Sequence, residues 1–314
     1  MGNKDIYIKL CKGKKLSVPI FMQPWWLDAV CRNWDVAIAM KGEHITGAWA
    51  YPVERKLNVT LLRNPVMTPY LGPHVFYPAD IKESNVDSFE HETVSELVKQ
   101  LPDAKVWHLA LAPGMKQAGI FKSLKLRPQV QQTFLLELDQ EEAALLANMK
   151  ESIRRNIRSA EKELTVTNSI NDLGSLYKFQ KATLAGKEKS VPYSLKDLQK
   201  IMDACVANNA TNLWVAKKED KILAIVWQVW DDNCSYYLVG GQNPEINSNN
   251  AMSLLLWHTI KDAKKQGHNT FDLEGSMDQG VERFFRSFGG ERALYMVLHK
   301  NDSLLWKMKQ MVYR

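Results

Sequence analysis

CSYYLVGG at residues 234–241 is a run of aromatic and β-branched residues that ends in two glycines. Runs of this composition are typical of β-strands. Because glycine adopts positive φ at little cost, we expect the strand to end at Gly240 and Gly241. A second, shorter strand is predicted at residues 270–273, where TFDL leads directly into Glu274.

A helix is predicted after each of these strands. Apolar residues recur at helical spacing from Met252 to Ala263, and either Asn249 or Asn250 is suited to cap the first helix. The second helix carries phenylalanines on one face before Gly289. Because two strand ends then lie beside two helix N-termini, the sequence predicts a corner that suits anionic or polarised ligands.

The chain contains a comparable pattern twice. Segments of the two halves align in the same order: residues 39–48 with 216–225, 107–109 with 271–273, and 121–124 with 285–288. The first pair predicts a hairpin in each half, and a following strand, 133–138 or 293–298, is expected to close each copy. The sequence therefore indicates an internal duplication, with an N-terminal unit at residues 1–140, a C-terminal unit at residues 141–314, and no Gly/Ser linker between them.

The bulk composition is that of a globular protein. Of the 314 residues 45% are hydrophobic, which is enough for real cores, and the formal net charge is +6. A mildly basic balance fits a phosphate-bearing partner. The cysteines show no CxxC spacing, so we expect reduced thiols and no metal site. With no signal-peptide pattern and no apolar run long enough to span a bilayer, we expect a cytoplasmic protein without a DNA partner.

A long helix is predicted between the two units. It is expected to begin at Asp139, whose side chain would cap it, with Glu142 completing a capping box. Its buried stripe is predicted to consist of Met149, Ile153, Ile157, Ala160 and Leu164. Its last turns carry five cations: Lys150, Arg154, Arg155, Arg158 and Lys162.

The cations of this helix have two interpretations. One is a solvated face that complements the helix dipole. The other is a phosphate-binding surface, because Arg154 and Arg158 lie one turn apart and guanidinium groups suit phosphate or carboxylate oxygens.

Three motifs resemble those of FemAB-like proteins. They are RNIRSAEK at residues 155–162, DLEG at residues 272–275 and FRSFGG at residues 285–290. FemAB-like proteins consist of two GNAT-type acyltransferase units in tandem. The resemblance, which covers most of the chain, therefore implies an α/β (α+β) fold of two GNAT-like units, each a mixed, mostly antiparallel sheet flanked by helices.

The resemblance implies transfer of an acyl group to an amine on a small molecule or a peptide. Members that build cell-wall cross-bridges use aminoacyl-tRNA and carry Phe-Lys before Phe-Gly, whereas Phe285 stands at the Lys position here and Arg286 follows it. Those members also carry an inserted helical arm, whereas residues 171–208 predict two ordinary helices. We therefore expect acyl-CoA as co-substrate and no tightly bound cofactor. Two alternatives stay open: a charged tRNA as donor, and a non-catalytic module that binds a metabolite.

Attack of an amine on a thioester or ester carbonyl requires removal of a proton, stabilisation of an oxyanion and release of the leaving group. Glu274 is the candidate base or amine ligand, and its alternative role is to cap a helix or support another residue. Tyr236 and Tyr237 alternate across their strand, so only one of them can face a cleft and donate to the leaving group. Either hydroxyl is suited to donate, and the other tyrosine is expected to belong to the core; we assign Tyr237 the catalytic role and treat Tyr236 as a ligand contact.

Further ligand contacts are expected around this corner. Backbone amides near Gly240, Gly241, Asn249 and Asn250 are candidates to bind the oxyanion or a donor phosphate. Side chains that are candidate ligand contacts are Arg154, Arg158 and Arg286.

In the N-terminal unit, one loop is also a candidate. Residues 64–73 are too rich in proline for a central strand, so we expect a rigid loop. It carries Tyr70, which is expected either to line the substrate pocket or to pack over the first sheet.

Overall fold

The structure, a computed structural model, describes residues 2–56, 59–246, 249–275 and 277–303. The chain divides into two compact units. The first comprises the residues up to Gln131 together with those from Leu294 onward, and the second comprises Gln132–Ala293. Among the described helices, none combines the length and apolar character needed to cross a membrane.

The first unit contains the hairpin and the proline-rich loop that the sequence predicts. Its elements are α1 (Asn3–Lys12), α2 (Pro24–Val30), β1 (Trp34–Lys41), β2 (His44–Pro52), β3 (Glu54–Lys56), β4 (Val59–Arg63), β5 (His74–Val75), α3 (Glu83–Lys99) and β6 (Val106–Ala110). Strands β1, β2 and β5 form an antiparallel sheet. Strand β4 pairs antiparallel with β3 and parallel with β6.

The second unit is built around a mixed sheet. The elements that follow along the chain are β7 (Arg127–Glu137), α4 (Glu142–Asn148), α5 (Glu151–Ala160), β8 (Thr165–Asn168), α6 (Leu173–Ala185), α7 (Leu195–Ala207), β9 (Thr211–Lys218), β10 (Lys221–Trp230), β11 (Cys234–Gln242), α8 (Asn249–Lys265), β12 (Thr270–Asp272), α9 (Gln279–Arg286) and β13 (Glu291–Asn301). The strand order is β7-β12-β11-β10-β9-β8, in which β11 and β12 run parallel and the other neighbours antiparallel.

Helices pack against this sheet through apolar stripes. Helix α8 packs against β10, β9 and α5, whereas α6 packs against β11 and β10 and α7 against β9. Of the predicted stripe, Met149, Ile153, Ile157 and Ala160 are buried and Leu164 is partly buried. Ile153 and Ile157 join a core that includes Leu256 of α8 and Phe288. Each such side chain contributes about 1.5–3 kcal/mol by leaving water. The helices thereby fix the strand ends at which the candidate site lies.

The long helix predicted from Asp139 is wrong. The structure has two helices, α4 and α5, and the N-cap of α4 is Glu141. The break follows Asn148 because residues after α9 approach it: a Cβ on Gly289 would lie 2.6 Å from the Asn148 carbonyl oxygen, and the Lys150 amide donates to the Ser287 carbonyl oxygen at 2.9 Å. These tertiary contacts take up backbone groups that a continuous helix would use.

The closing strands do not pair as the duplication predicts. Strand β7, which follows the first copy of the pattern, pairs with β12 of the second unit. Strand β13, which follows the second copy, pairs with β6 of the first unit. The closing strands are thus exchanged: the first compact unit combines two segments of the chain, whereas the second is the contiguous range Gln132–Ala293. Because β7 and β13 have similar apolar patterns, either strand could pair with β6 or with β12, and the sequence pattern does not distinguish the two pairings.

Candidate active site

The two parallel strands of the second unit separate after a short pairing. Strands β11 and β12 pair only through Cys234, Ser235 and Tyr236. Strand β12 then ends at Asp272, and the Leu273 amide bonds to the Phe134 carbonyl oxygen of β7 at 3.0 Å. Since β11 continues to Gln242 alongside β10, a split opens between the two strands. Its position agrees with the corner that the sequence predicts.

A β-bulge lies at the start of this split, which the sequence did not reveal. Trp227 pairs with Val239 and Gln228 pairs with Tyr237, so Leu238 has no partner in the register. Bulges change the direction of side chains and leave the extra residue outside the ladder. The bulge therefore changes the alternation of side chains just after Tyr237.

Glu274 is held at the end of β12 by a network of hydrogen bonds. Its backbone is left-handed, with φ at 48°, a conformation that costs a glutamate free energy. Oδ1 of Asp272 accepts a hydrogen bond from the Glu274 amide at 2.8 Å and another from the Thr133 hydroxyl. The Thr133 oxygen accepts in turn from the Gly275 amide at 2.9 Å.

The glycine after Glu274 is required by close packing. A Cβ on Gly275 would lie 1.8 Å from the Gln132 carbonyl oxygen of β7, a distance that no side chain tolerates. Gly275 and the Asp272–Thr133 hydrogen bonds therefore fix the corner from both sides. These contacts position the backbone of Glu274, and none of them involves the Glu274 carboxyl group.

One oxygen of the Glu274 carboxyl group, Oε1, is buried without a hydrogen-bond partner among the described residues. Burial, and to a lesser extent the neighbouring Asp272 carboxylate, raises the pKa of Glu274 well above its ordinary value. A carboxyl group in such an environment is a stronger base than one in water, and strongly perturbed carboxyl groups in clefts are characteristic of functional sites.

Tyr237 lies beside Glu274 and stays protonated at neutral pH. Burial raises the pKa of Tyr237, the nearby Glu274 carboxylate raises it further, and a hydrogen bond from the Gly240 amide lowers it to a smaller extent. Its ring packs edge-on against Phe285, with 5.2 Å between ring centroids. Tyr237 is thus a proton donor at a fixed place in the split.

The predicted end of β11 at Gly240 and Gly241 is wrong, because the strand continues to Gln242. These glycines serve close packing: a Cβ on Gly240 would lie 2.4 Å from the Tyr237 hydroxyl oxygen, and one on Gly241 would lie 2.9 Å from Cβ of Phe179 in α6. The Gln180 side chain also donates to the Gly240 carbonyl oxygen.

The segment between α6 and α7 brings Tyr193 close to Tyr237, and Tyr177 of α6 packs against Tyr193. Tyr193 lies close enough to Tyr237 to raise the pKa of that phenol. The ring centroids of Tyr193 and Tyr177 are 6.4 Å apart. Burial raises the pKa of Tyr193 to about 12, with a further contribution from Tyr177. Nζ of Lys187 lies 2.6 Å from Oδ2 of Asp278, which ties this segment to the N-cap of α9.

Tyr236 has a different environment from Tyr237. It is buried, and its hydroxyl donates to Oδ2 of Asp231 at 3.1 Å. Burial is the main cause of its raised pKa, and the Cys234, Asp231 and Asp272 side chains add to it. These contacts make Tyr236 part of the core, at the last position where β11 pairs with β12.

The start of α8 borders a cavity. The Asn249 side chain falls outside the described residues, although its backbone begins α8. Asn250 lines a cavity of about 220 Å³ together with Ser159, Ala160, Glu163, Leu164, Lys218, Leu223 and Ile246. Lys218 pairs with Glu163 at 2.7 Å there.

The predicted arginine contacts are not gathered around Glu274 by any described contact. Arg154 donates to the Ala147 carbonyl oxygen at 2.8 Å and so satisfies the end of α4. Arg286 pairs with Glu282 at 3.7 Å, one turn away on α9. Arg158 is exposed on α5. Tyr70 belongs to the first unit, where it is buried with its ring against Phe21 and Tyr295.

Several residues of the site were missed by sequence reasoning. Asp272 could have been found, because an aspartate two residues before a corner commonly accepts the backbone amide there. Thr133, Tyr177 and Tyr193 gave no local signal, since they reach the corner from distant parts of the chain. Among the described residues, no cluster of His, Cys, Asp and Glu is suited to hold a metal ion.

Comparison with known proteins identifies a family domain and similar folds. The family model of the acetyltransferase (GNAT) domain matches residues 147–286, which include Tyr237 and Glu274. The crystal structure of FemX superposes with a TM-score of 0.62 and 13% sequence identity, covering 95% of this chain and 95% of that one. A tandem GNAT protein from the clavulanic acid biosynthesis pathway gives a TM-score of 0.52 and 8% identity, covering 88% of this chain and 85% of that one.

These similarities confirm the predicted fold class of two tandem GNAT-like units and the resemblance to FemAB-like proteins. No curated protein matches the sequence. At these identities the superpositions show the fold, whereas the family model assigns the acetyltransferase domain to the part of the chain that holds the split.

Proposed function

We propose that this chain, an acyltransferase with a GNAT domain in a FemAB-like fold, transfers an acyl group from acyl-CoA to an amine in the split between β11 and β12. The observation that carries the proposal is the Glu274 carboxyl group. Its backbone is fixed by hydrogen bonds, and one of its oxygens is buried without a partner among the described residues. Such a group has no structural task that would explain its burial.

The chemistry follows from the positions of two groups. The amine nitrogen attacks the carbonyl carbon of the thioester, and Glu274 accepts the proton that the nitrogen loses. As the carbon–sulfur bond breaks, Tyr237 donates its proton to the thiolate. The proton on Glu274 then returns to the phenolate and the cycle closes; Glu274 is near enough to Tyr237 to raise the pKa of that phenol.

The backbone along the split is suited to stabilise the oxyanion that forms on the carbonyl oxygen. Past Tyr236, the edge of β11 that faced β12 has no neighbouring strand, and Leu238 stands outside the register. The Gly240 amide donates to the Tyr237 hydroxyl, and the other amides that face this edge have no ladder partner and would be available to an oxyanion. This would supply charge stabilisation without a further side chain.

Support for acyl-CoA as donor comes from the length and exposure of the split. Strand β11 continues for six residues beyond Tyr236, to Gln242, and the chain then turns into α8. An open strand edge that leads to a helix N-terminus suits an extended amide-containing arm that ends in phosphates. The groups that would hold it are the backbone of β11 and the start of α8.

A charged tRNA is the second candidate donor, because the end of α5 is cationic. Arg155, Arg158 and Lys162 are exposed, and none of them forms an ion pair with a described residue. Unpaired cations on one helix suit a phosphate backbone. A steep loss of affinity for tRNA with added salt would favour this donor, and replacing Arg158 by alanine should reduce that salt dependence.

The test is a transfer assay with acetyl-CoA and a panel of amines, in which free thiol and acylated amine are both quantified. Equal amounts of the two products are expected. Binding of acetyl-CoA without any acylated amine would instead indicate a non-catalytic module. Transfer from charged tRNA, with no binding of CoA or acetyl-CoA, would overturn the choice of donor.

A further inference from the structure

Gly240 turns both of its backbone polar groups toward the split. The Asn243 amide donates to the Leu223 carbonyl oxygen at 2.8 Å, which makes these two residues a bonded pair between β11 and β10. Gly240 lies three positions before Asn243 in a regular register, opposite Val226. Because bonded and non-bonded pairs alternate along antiparallel strands, the N–H and C=O groups of Gly240 point away from β10. They therefore face the edge of β11 that β12 leaves open.

Side chains from two different elements occupy these two groups. The Gly240 amide donates to the Tyr237 hydroxyl oxygen. The phenol lies so close to Gly240 that a Cβ there would be 2.4 Å from the hydroxyl oxygen and 3.0 Å from Cζ. The Gly240 carbonyl oxygen accepts a hydrogen bond from the Gln180 side chain of α6. One residue at the edge of β11 is thus held between Tyr237 and Gln180.

Helix α6 gives Gln180 a fixed place beside the strand. The helix packs against β11, and its Leu176 and Phe179 side chains are buried there. A Cβ on Gly241 would lie 2.9 Å from Cβ of Phe179 and 3.4 Å from a methyl carbon of Leu176. Since this packing sets the distance between helix and strand, the half-buried Gln180 side chain has the reach to bind the Gly240 carbonyl group.

We infer that Gln180 is a positioning residue for proton donation by Tyr237. This inference rests on the proposed function, in which Tyr237 protonates the departing sulfur, and adds to it the residue that holds the donor in place. Gln180 holds the Gly240 backbone, and the Gly240 N–H in turn holds the phenol oxygen. The Gln180 side chain itself touches no reacting atom.

The proton transfer shows why this contact matters for the rate. As the O–H bond of Tyr237 breaks and the S–H bond forms, the negative charge moves from the sulfur to the phenol oxygen. The hydrogen bond from the Gly240 amide stabilises that phenolate. It also occupies a lone pair of the phenol oxygen, so the hydroxyl proton remains available to the thiolate. Without Gln180, the Gly240 backbone is less firmly held and this stabilisation is weakened.

The first test replaces the side chain of Gln180. Gln180→Met keeps the length and the helix propensity but removes the N–H donor. The kcat for transfer from acetyl-CoA to an amine should fall about tenfold, the rate equivalent of one hydrogen bond. The KM for acetyl-CoA should stay within about twofold of the parent value. Gln180→Glu keeps the shape and places an acceptor against the carbonyl oxygen, so it should slow transfer at least as much.

A matched control is Gln199→Met in α7. Gln199 is exposed, and its side chain donates to Asp203 at 2.8 Å. The control therefore also removes one glutamine hydrogen bond from a helix of the second unit, and it should leave kcat and KM unchanged. An unchanged kcat in Gln180→Met or in Gln180→Glu would overturn the inference.

A double-mutant cycle separates positioning of Tyr237 from a general structural role. In Tyr237→Phe, which has no phenol, the further change Gln180→Met should not lower the residual rate, because both changes act on the same step. A general structural role would lower the rate by the same factor in both backgrounds. Such an additive loss would contradict the inference.

A measurement on the phenol itself does not depend on activity. In protein labelled with 3-fluorotyrosine, the fluorine resonance of Tyr237 is assigned by its absence in Tyr237→Phe. It should shift in Gln180→Met and not in Gln199→Met. This shift, without transfer from any donor to any amine, would support the link from Gln180 to Tyr237 and contradict the proposed function. Transfer that continues in the parent protein, with an unshifted resonance in Gln180→Met, would contradict the inference and leave the proposed function standing.

Discussion

Glu274 combines a left-handed backbone with a buried and unpaired carboxyl oxygen. Each feature costs stability, and the surrounding hydrogen bonds from Asp272 and Thr133 maintain them. The Glu274 carboxyl group therefore has a higher affinity for a proton than an exposed carboxyl group. That affinity is what a base for amine attack requires.

The stability of the protein should depend on pH through this residue. Because the pKa of Glu274 is raised on folding, the folded state keeps its proton at pH values where the unfolded chain has lost it. The contribution to stability is therefore complete below the ordinary carboxyl pKa of 4.5 and is lost as pH rises toward the folded pKa.

Glu274→Gln should remove this dependence, since glutamine is neutral throughout. We expect the Tm of the variant to rise relative to that of the parent as pH increases from about 4 to about 8. Thermal unfolding in both proteins measures the difference, with exposed Glu245→Gln as control for the loss of one charge. A difference that stays constant with pH would argue against a buried, unpaired carboxyl group.

Gly240→Ala tests the position of Tyr237. The new Cβ would lie 2.4 Å from the phenol oxygen, so the ring must move. A misplaced catalytic group lowers the rate about 100-fold. Gly174→Ala in α6 is the control, because nothing lies within 4 Å of a Cβ there. Turnover that survives Gly240→Ala would remove Tyr237 from the mechanism.

At the scale of elements, the junction of β7 with β12 determines where Glu274 lies. Thr133 of β7 donates to Asp272 and accepts from Gly275, so one hydroxyl joins the strand to the corner. Thr133→Val should remove both hydrogen bonds and leave the Gly275 amide without its acceptor, at a cost of about 1–3 kcal/mol. Urea unfolding measures this cost, and transfer activity should fall with it.

Thr133→Ser keeps the hydroxyl and is the matched variant. It should retain most of the activity, because the two hydrogen bonds can still form. If Thr133→Val were as active as Thr133→Ser, the corner would not depend on this contact.

Local periodicity predicted several elements well and others poorly. The buried stripe of α5 and the two helices at residues 171–208 follow from apolar spacing, and the structure confirms them. The break between α4 and α5 could not be predicted, because it depends on Gly289 approaching Asn148. The same holds at the site: the Thr133–Asp272 contact joins residues that are 139 positions apart.

At the scale of the whole molecule, the repeated pattern predicted two units, and the structure and its comparisons confirm them. The repeated pattern did not predict that the two closing strands are exchanged. Strands β7 and β13 have similar apolar patterns, so only the assembled sheet shows which edge each one joins.

This exchange predicts how fragments behave. A fragment of residues 141–314 lacks the part of β7 that pairs with β12, so an edge beside the buried Phe271 would be exposed. A fragment of residues 132–293 keeps that pairing. Circular dichroism and hydrogen exchange should show protected β12 amides in the second fragment and not in the first. Equal protection in both would contradict the assignment of β7 to the second unit.

The central claim is that Glu274 accepts the proton of the attacking amine, and the rate of acylation by acetyl-CoA in Glu274→Gln tests it most directly. Single-turnover rates should fall by about 10²–10⁴, while the Kd for acetyl-CoA, measured separately, stays within about twofold of the parent value. An unchanged rate of acylation in a folded Glu274→Gln variant would contradict the account.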